Sequence, residues 1–148
     1  MKNIPIKNVV GSALYVFFVC ALIFGIPQAL SYVLKTPYPM ATITSESMWP
    51  VLKKNDIIFI TKAVKSDLRI GDIIVFKNER GFTIHRIIEM KDNTLTTKGD
   101  ANNISDLPIS YDEIIGKTLN YGSSPFRIPY IGSITIWAAN LRSRTDLS

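Results

Sequence analysis

The stretch IIVFKNERGFTIHRII, residues 73–88, contains two short runs of apolar, β-branched and aromatic residues on either side of a turn. The runs are residues 73–76 and 82–88, and residues 78–81 lie between them. Runs of this composition bounded by turn residues are typical of β-strands, and a short connection that contains glycine is typical of a hairpin. The stretch therefore predicts an antiparallel β-hairpin.

The same pattern extends through much of the chain. Residues 57–60 and 114–119 are further strand-like runs, and turn residues separate them from their neighbours. Residues 41–127 show no long amphipathic helix with capping residues. At 148 residues, the chain has room for one modest domain. We predict a mainly β fold whose sheet is compact, antiparallel and partly barrel-like.

The N-terminal part has a different composition. Residues 9–34 contain no charged residue, and about 20 apolar residues suffice to cross a bilayer as a helix. A cleaved signal peptide would have a shorter apolar core and a small-x-small site, and a buried helix is the other alternative. We predict a retained transmembrane anchor in residues 1–35, either tilted or losing its last turn near Pro27, and an extracytoplasmic domain in residues 36–148.

The charge distribution favours a membrane protein over a nucleic-acid-binding one. The net charge is +5, but Lys2, Lys7 and Lys35 flank the apolar segment, and residues 36–148 hold 14 basic and 12 acidic residues. No dense basic stripe remains that would bind nucleic acid. The positive-inside tendency places the N-terminus in the cytoplasm. We therefore expect a single-pass protein of the cell membrane, or of the endoplasmic reticulum membrane in a eukaryote.

Two smaller features set further limits. Cys20 is the only cysteine, which excludes a disulfide framework and Cys-rich zinc sites, and the sequence shows no metal-ligand spacing. Residues 128–141 are apolar again around Trp137. This segment is short for a second span, so a docked or interfacial helix is favoured, while entry into the membrane stays an open alternative.

The sequence SESMWP, residues 45–50, is the first candidate for chemistry. A serine hydroxyl is a weak nucleophile unless a base lies beside it. A tight turn bounded by Pro50 can direct a serine hydroxyl and its own backbone N–H toward one point, where the N–H and a second donor can stabilise an oxyanion. Two serines at this spacing, taken alone, are more typical of a solvated loop.

The whole of this motif resembles the Ser-x-Ser-Met-x-Pro hallmark of type I signal peptidases. The resemblance implies that Ser47 is the nucleophile and that Ser45 supplies a hydroxyl to the oxyanion hole beside the Ser47 backbone. It also implies that Met48 lines the substrate pocket. Many relatives have glycine between the serines, where this chain has Glu46. Trp49 is a candidate for the membrane interface, because an indole suits that boundary.

His85 is the only histidine in the chain. A lone histidine on a strand is commonly a structural residue, but TIHRII, residues 83–88, resembles the second box of the archaeal and endoplasmic-reticulum branch. Bacterial enzymes have lysine at that position. Histidine ordinarily titrates near neutral pH and can act as a base without strong desolvation, whereas a lysine needs a large pKa shift. The resemblance therefore implies a Ser-His mechanism.

The third box is TKGD, residues 97–100, together with Asp106. A carboxylate beside the far imidazole nitrogen can fix the tautomer and stabilise the imidazolium. Asp100 and Asp106 compete for this role. We favour Asp106 as the orienting acid and Asp100 as structural support, and the same residues also suit turns.

The resemblance covers nearly the whole chain, and 38 residues between Ser47 and His85 leave little room for the inserted subdomain of many bacterial members. It implies a serine endopeptidase that needs no cofactor and removes signal peptides from secreted preproteins after a small-x-small motif. Its expected partners are those signal peptides, the lipid membrane and accessory membrane subunits. Two alternatives are a non-catalytic membrane-anchored β module that assists a secretion complex, and a self-cleaving repressor-type Ser-Lys protease. The anchor and the lack of a DNA-binding region disfavour the latter.

Overall fold

The structure is a computed structural model that describes residues 6–78, 81–134 and 136–137. Helix α1 spans Ile6–Leu34 and continues through Pro27 without ending there. Its segment Val10–Leu34 is long and apolar enough to cross a membrane, and its most apolar stretch is not buried inside the protein. Burying apolar surface away from water is favourable, so an apolar helix this exposed would gain free energy from an apolar surrounding. The alternative of a buried core helix is wrong.

The C-terminal end of α1 is fixed to the rest of the protein. Leu34 is buried, and its carbonyl oxygen accepts the backbone N–H of Lys62 at 2.9 Å and the hydroxyl of Thr61 at 3.4 Å. Lys35 has a φ of 53°, in the left-handed region that commonly terminates helices. The helix therefore ends at a defined contact rather than at a free linker.

The body of the chain is mainly antiparallel β-sheet, as predicted. Neighbouring strands follow the order β1-β2-β7-β3-β4-β5-β6, β10 also pairs with β2, and β8 and β9 form a separate pair. Single 3₁₀ turns lie at Lys65–Asp67 and Tyr111–Glu113. The strands of the described residues are β1 Met40–Thr42, β2 Ile57–Thr61, β3 Ile73–Asn78, β4 Gly81–Met90, β5 Thr94–Lys98, β6 Ile109–Ser110, β7 Ile114–Thr118, β8 Asn120–Tyr121, β9 Ser124–Pro125 and β10 Arg127–Ile128.

The predicted hairpin is confirmed, and the antiparallel sheet does not close fully into a barrel. Strands β3 and β4 pair in register from Ile73 opposite Arg86 to Asn78 opposite Gly81. No pairing within residues 6–78, 81–134 and 136–137 joins β6 to β1. The sheet is therefore open. Its two end strands, β1 and β6, are three and two residues long and do not pair with each other.

Strand β3 is the centre of the core, because both of its faces are covered. Ile73 and Val75 belong to one apolar cluster, and Ile74 and Phe76 belong to a second one on the other face. A strand buried on both faces has a continuous apolar run instead of an alternating one, which explains the sequence IIVF. Strand β4 alternates, and His85 and Ile87 are its buried positions.

The apolar C-terminal segment begins as strand β10, and residues 132–134 and 136–137 are helical. The backbone N–H of Gly132 donates to the carbonyl of Asn55 at 2.9 Å. A Cβ atom at Gly132 would lie 2.7 Å from the same oxygen, so the close approach requires glycine. The start of the segment is therefore docked against the turn before β2, while residue 135 and residues 138–141 lie outside the described residues.

A buried ion pair connects β10 to the turn before β2. Asp56 is 1% exposed, and its Oδ2 accepts Arg127 Nη1 at 2.6 Å and the Lys53 N–H at 2.9 Å. Its Oδ1 is buried without a partner among the described residues. The Asp56 carbonyl accepts the N–H of Ile43 at 2.9 Å. The pair therefore supports the strand that leads to Ser45.

We predict that Arg127→Met lowers the free energy of unfolding by about 3 kcal/mol, because it leaves the buried Asp56 carboxylate without its cation. Thermal melting and denaturant unfolding of the full chain in detergent measure this. Arg127→Lys is the matched control that keeps the charge. The double variant Asp56→Asn, Arg127→Met should lose less than Arg127→Met alone, and a melting temperature unchanged in Arg127→Met would contradict the prediction.

Candidate active site

Ser47 lies in a tight turn, five residues after the end of strand β1 at Thr42. The Trp49 N–H donates to the Glu46 carbonyl at 3.0 Å, and the Leu52 N–H donates to the Met48 carbonyl at 2.9 Å. Met48 is 1% exposed and packs in the same apolar cluster as Leu52. Burial of Met48 therefore fixes the turn to the core and leaves the half-buried Ser47 at the wall of a groove.

Strand β4 brings His85 to this turn. The imidazole is 7% exposed and packs beside the ring of Phe76, with the ring centroids 6.5 Å apart. His85 Nε2 lies 3.1 Å from Ser47 Oγ. The structure thus brings together the predicted nucleophile and base, which are 38 residues apart in the chain.

Asp106, and not Asp100, is the carboxylate beside the histidine. Asp106 Oδ2 lies 2.6 Å from His85 Nδ1. A neutral imidazole with its proton on Nδ1 donates to this carboxylate, and its Nε2 is then free to accept the hydroxyl proton of Ser47. The other tautomer would place two lone pairs against each other at Nδ1. The geometry therefore favours the tautomer that general-base chemistry requires.

Asp100 pairs with the neighbour of the histidine. Arg86 donates to Asp100 twice, from Nε to Oδ1 and from Nη2 to Oδ2, each at 2.7 Å. These hydrogen bonds raise the pKa of Arg86 above its ordinary value, burial opposes the rise, and the opposite charge of Asp100 adds to it. The Ala101 N–H next in the chain donates to the Ser47 carbonyl at 2.8 Å. Asp100 therefore supports the loop that holds the Ser47 turn.

Gly99 allows this loop to approach the turn closely. A Cβ atom there would lie 2.7 Å from the Ser47 carbonyl oxygen and 2.7 Å from Asn102 Nδ2, distances that real Cβ atoms do not reach. In the sequence, Gly99 lies between Lys98 and Asp100 and is typical of an ordinary turn. Nothing in this local pattern indicates that the backbone at Gly99 contacts Ser47.

Two hydrogen-bond donors lie beside the Ser47 hydroxyl. Ser45 Oγ is 3.1 Å from Ser47 Oγ, and Ser45 is the donor of this bond when the Ser47 hydroxyl donates to His85 Nε2. In the part of the chain that the structure describes, the Ser47 N–H has no backbone acceptor. These are the two donors that an oxyanion site at Ser47 would use.

The groove beside Ser47 has a volume of about 610 Å³, in the size range of ligand pockets. One wall is the chain from Met40 to Ser45, and the other is the start of β4. This part of β4 pairs with β3 on one side, and its pairing with β5 begins only at Arg86. The groove also has an apolar lining that the sequence did not predict. It consists of Ile43, Ile60, Val75, Ile84 and Ile115.

The described residues hold no group of three or more His, Cys, Asp or Glu side chains that could bind a metal ion. The polar groups that line the groove include Ser45, Ser47 and His85, with Asp106 behind the imidazole. This arrangement suits transfer of an acyl group to the Ser47 hydroxyl, while the hydroxyl proton moves to the His85 imidazole.

Known proteins resemble this chain over much of its length. Residues 26–119 match the model of the family described as Peptidase S24-like, a class of peptidases. The chain is 31% identical over 113 residues to the human signal peptidase complex catalytic subunit SEC11C, covering 66% of this chain and 56% of that protein. The chain therefore spans little more than half the length of the mammalian relatives that it matches.

Two fungal relatives are covered more fully. The signal peptidase complex catalytic subunit SEC11 of Lachancea thermotolerans is 30% identical over 137 residues, which cover 81% of this chain and 77% of that protein. The SEC11 subunit of Lodderomyces elongisporus is 31% identical over 135 residues, with 80% and 76% covered. The chain belongs to the type I signal peptidases, in the archaeal and endoplasmic-reticulum branch of the S24-like family.

We predict that Asp106→Asn slows acylation of Ser47 by a serine-directed acylating probe roughly 10²–10⁴-fold, because the amide no longer enforces the tautomer or stabilises the imidazolium. The matched variant Asp100→Asn should slow acylation much less and should lower the melting temperature, because it removes the charge that pairs with Arg86. Mass spectrometry of Ser47 and thermal melting separate the two effects. If Asp100→Asn abolished acylation while Asp106→Asn did not, the assignment would be reversed.

Proposed function

We propose that this protein is a membrane-bound serine endopeptidase that removes signal peptides from secreted preproteins by cleaving after a small-x-small motif. The observation that carries the proposal is the continuous chain of contacts from Ser45 through Ser47 and His85 to Asp106 at the wall of the groove. The names of the relatives, catalytic subunits of signal peptidase complexes, support the same substrate class.

In the proposed reaction, Ser47 Oγ attacks the peptide carbonyl carbon while His85 Nε2 accepts its proton. The Asp106 carboxylate stabilises the imidazolium that forms. The C–N bond then breaks as His85 returns the proton to the leaving amine, and an acyl-enzyme on Ser47 remains. Water attacks the ester with His85 again acting as base, and release of the peptide acid regenerates the Ser47 hydroxyl.

Ser45 changes its acceptor during the proposed reaction. In the resting arrangement its hydroxyl donates to Ser47 Oγ over 3.1 Å. Once that oxygen bonds to the substrate carbon, the carbonyl oxygen gains negative charge next to the same hydroxyl. A rotation about the Ser45 side chain redirects the hydrogen bond to this oxyanion, and the Ser47 N–H is the second donor.

The shape of the groove suggests why the recognition motif would require small side chains at its first and third positions but not at the middle one. An extended peptide between the Met40–Thr42 strand and the start of β4 could add its backbone hydrogen bonds to these strands. In such a strand, the first and third side chains point to the same face. Ile43, Met48 and Ile84 line that region with apolar atoms, so two small side chains would face the wall while the middle one faces away.

Residues 1–35 would form the membrane anchor, and residues 36–148 the extracytoplasmic peptidase domain. Anchoring confines enzyme and preprotein to one surface and so raises their effective concentration. Trp49 is 58% exposed next to the nucleophile, where an indole would suit the membrane interface. Further partners of this domain would be accessory membrane subunits, because its relatives are subunits of a complex.

The two alternatives from the sequence have less support. A non-catalytic β module gives no reason for a buried imidazole between a serine hydroxyl and a carboxylate. A Ser-Lys peptidase requires an amine at the nucleophile, and the base 3.1 Å from Ser47 Oγ is the imidazole of His85.

We predict that Ser47→Ala and His85→Ala each abolish cleavage of a membrane-embedded preprotein, and that the double variant loses little more, because the two side chains act as one unit. The measurement is product formation by the full chain in liposomes. Ser123→Ala, in an exposed turn between β8 and β9, is the matched control. The proposed base would be wrong if His85→Ala kept more than about a tenth of the wild-type kcat, since general-base assistance is worth roughly 10²–10⁴-fold.

We predict that Ser45→Ala lowers kcat roughly 10²-fold with little change in KM, because its hydroxyl is needed for the oxyanion and not for the bound ground state. Ser45→Thr keeps a hydroxyl and should retain more of the rate. Steady-state kinetics on a preprotein separate kcat from KM. A change confined to KM would assign Ser45 to substrate binding.

A further inference from the structure

Thr97 is a fully buried hydroxyl next to the site. Its side chain is 0% exposed, and strand β5 buries it on the same face as Leu95. Thr97 pairs with Ile87 on β4, and Ile87 shares a strand face with His85 because side chains alternate along a strand. The Thr97 hydroxyl therefore lies on the strand next to that of His85, close to the imidazole. In this buried position a polar group needs a hydrogen-bond partner.

The partner of this hydroxyl is the carboxylate behind the histidine. Thr97 Oγ1 donates to Asp106 Oδ2 at 2.6 Å, and this is the same oxygen that lies 2.6 Å from His85 Nδ1. The Asp106 N–H also donates to the Thr97 carbonyl at 2.8 Å. Thr97 thus binds Asp106 twice, once through the backbone and once through the carboxylate oxygen that contacts the imidazole.

We infer that Thr97 is a positioning residue that holds the Asp106 carboxylate against His85 Nδ1. A carboxylate can rotate about its last side-chain bond, and a backbone contact alone does not prevent this rotation. The hydroxyl supplies the missing constraint. A β-branched side chain suits this purpose because its χ1 angle is restricted in a strand. The inference rests on the proposed function, since the orientation matters for the rate only if His85 is the base.

A merely structural role for Thr97 has different consequences. The backbone bond from the Asp106 N–H to residue 97 remains in any variant, so it holds the loop whatever the side chain is. Thr97→Val keeps the shape and the β-branch and removes only the hydroxyl. Any effect on chemistry beyond the effect on folding therefore reports the hydrogen bond to Asp106.

The experiment uses the full chain in detergent or liposomes with a preprotein substrate. Thr97→Val should lower kcat roughly tenfold and leave KM within about twofold, since a hydrogen bond to a charged group is lost away from the substrate. Thr97→Ser keeps the hydroxyl and should recover most of kcat. The matched control is Thr118→Val, because Thr118 is 2% exposed on β7 and donates to Asn120 at 3.0 Å. Its kcat should equal that of the wild type.

Two further measurements test whether the effect passes through Asp106. In an Asp106→Asn background, Thr97→Val should change kcat by less than about twofold, because the acceptor has already lost its charge. The chain has one histidine, so ¹⁵N resonances of labelled histidine report the tautomer without assignment. With the ring neutral, Thr97→Val should increase the population of the Nε2-protonated tautomer, and Thr118→Val should not.

The outcomes distinguish the inference from the proposed function. If wild type cleaves in a Ser47-dependent manner and Thr97→Val keeps its full kcat, the inference is overturned. If cleavage by wild type equals that by Ser47→Ala, the proposed function fails, and the histidine resonances still decide whether Thr97 orients the Asp106 contact. An equal loss of kcat in Thr97→Ser and Thr97→Val, or in Thr118→Val, would also overturn the inference.

Discussion

A buried imidazole needs a hydrogen-bond partner on each of its two nitrogens, and this requirement organises the whole site. His85 is fixed by strand β4, but both of its partners lie outside that strand: Ser47 in the turn after β1 and Asp106 in the loop between β5 and β6. Two irregular segments must therefore converge on one strand position. Burial of Met48 in the core holds the first segment, and the pair Arg86–Asp100 holds the second.

The same strand explains why two aspartates are required. Adjacent residues on a strand point to opposite faces, so His85 and Arg86 cannot share one carboxylate. Asp106 serves the inner face, and Asp100 serves the outer one. The sequence shows both aspartates close together in one loop and does not distinguish them. The distinction depends on which of the two neighbouring residues, His85 or Arg86, each aspartate contacts, and only the three-dimensional structure provides this.

The strands that could be predicted are those whose burial is visible in their composition. Strand β3 is a continuous apolar run because both faces are covered, and β4 is bounded by clear turn residues. Strand β5, Thr94–Lys98, has only one strongly apolar residue, because Thr97 is buried by a hydrogen bond rather than by apolar character. The two-residue strands form only because of their pairing partners, so their own composition does not predict them. Whether the sheet closes depends on its edge strands, and no local sequence pattern specifies that.

The distance between the end of α1 and Ser47 is also set by contacts rather than by chain length. Ser47 follows Lys35 by 12 residues, which could extend to roughly 40 Å. The structure folds this segment back, since Leu34 accepts from Lys62 at the end of β2 and Met40 pairs with Phe59 within it. The end of α1 and the segment that leads to the Ser47 turn are thus both attached to strand β2. On the proposed function, this attachment requires that the scissile bond of the preprotein lie at a fixed height above its own apolar segment, so the enzyme would select cleavage sites by position as well as by small side chains.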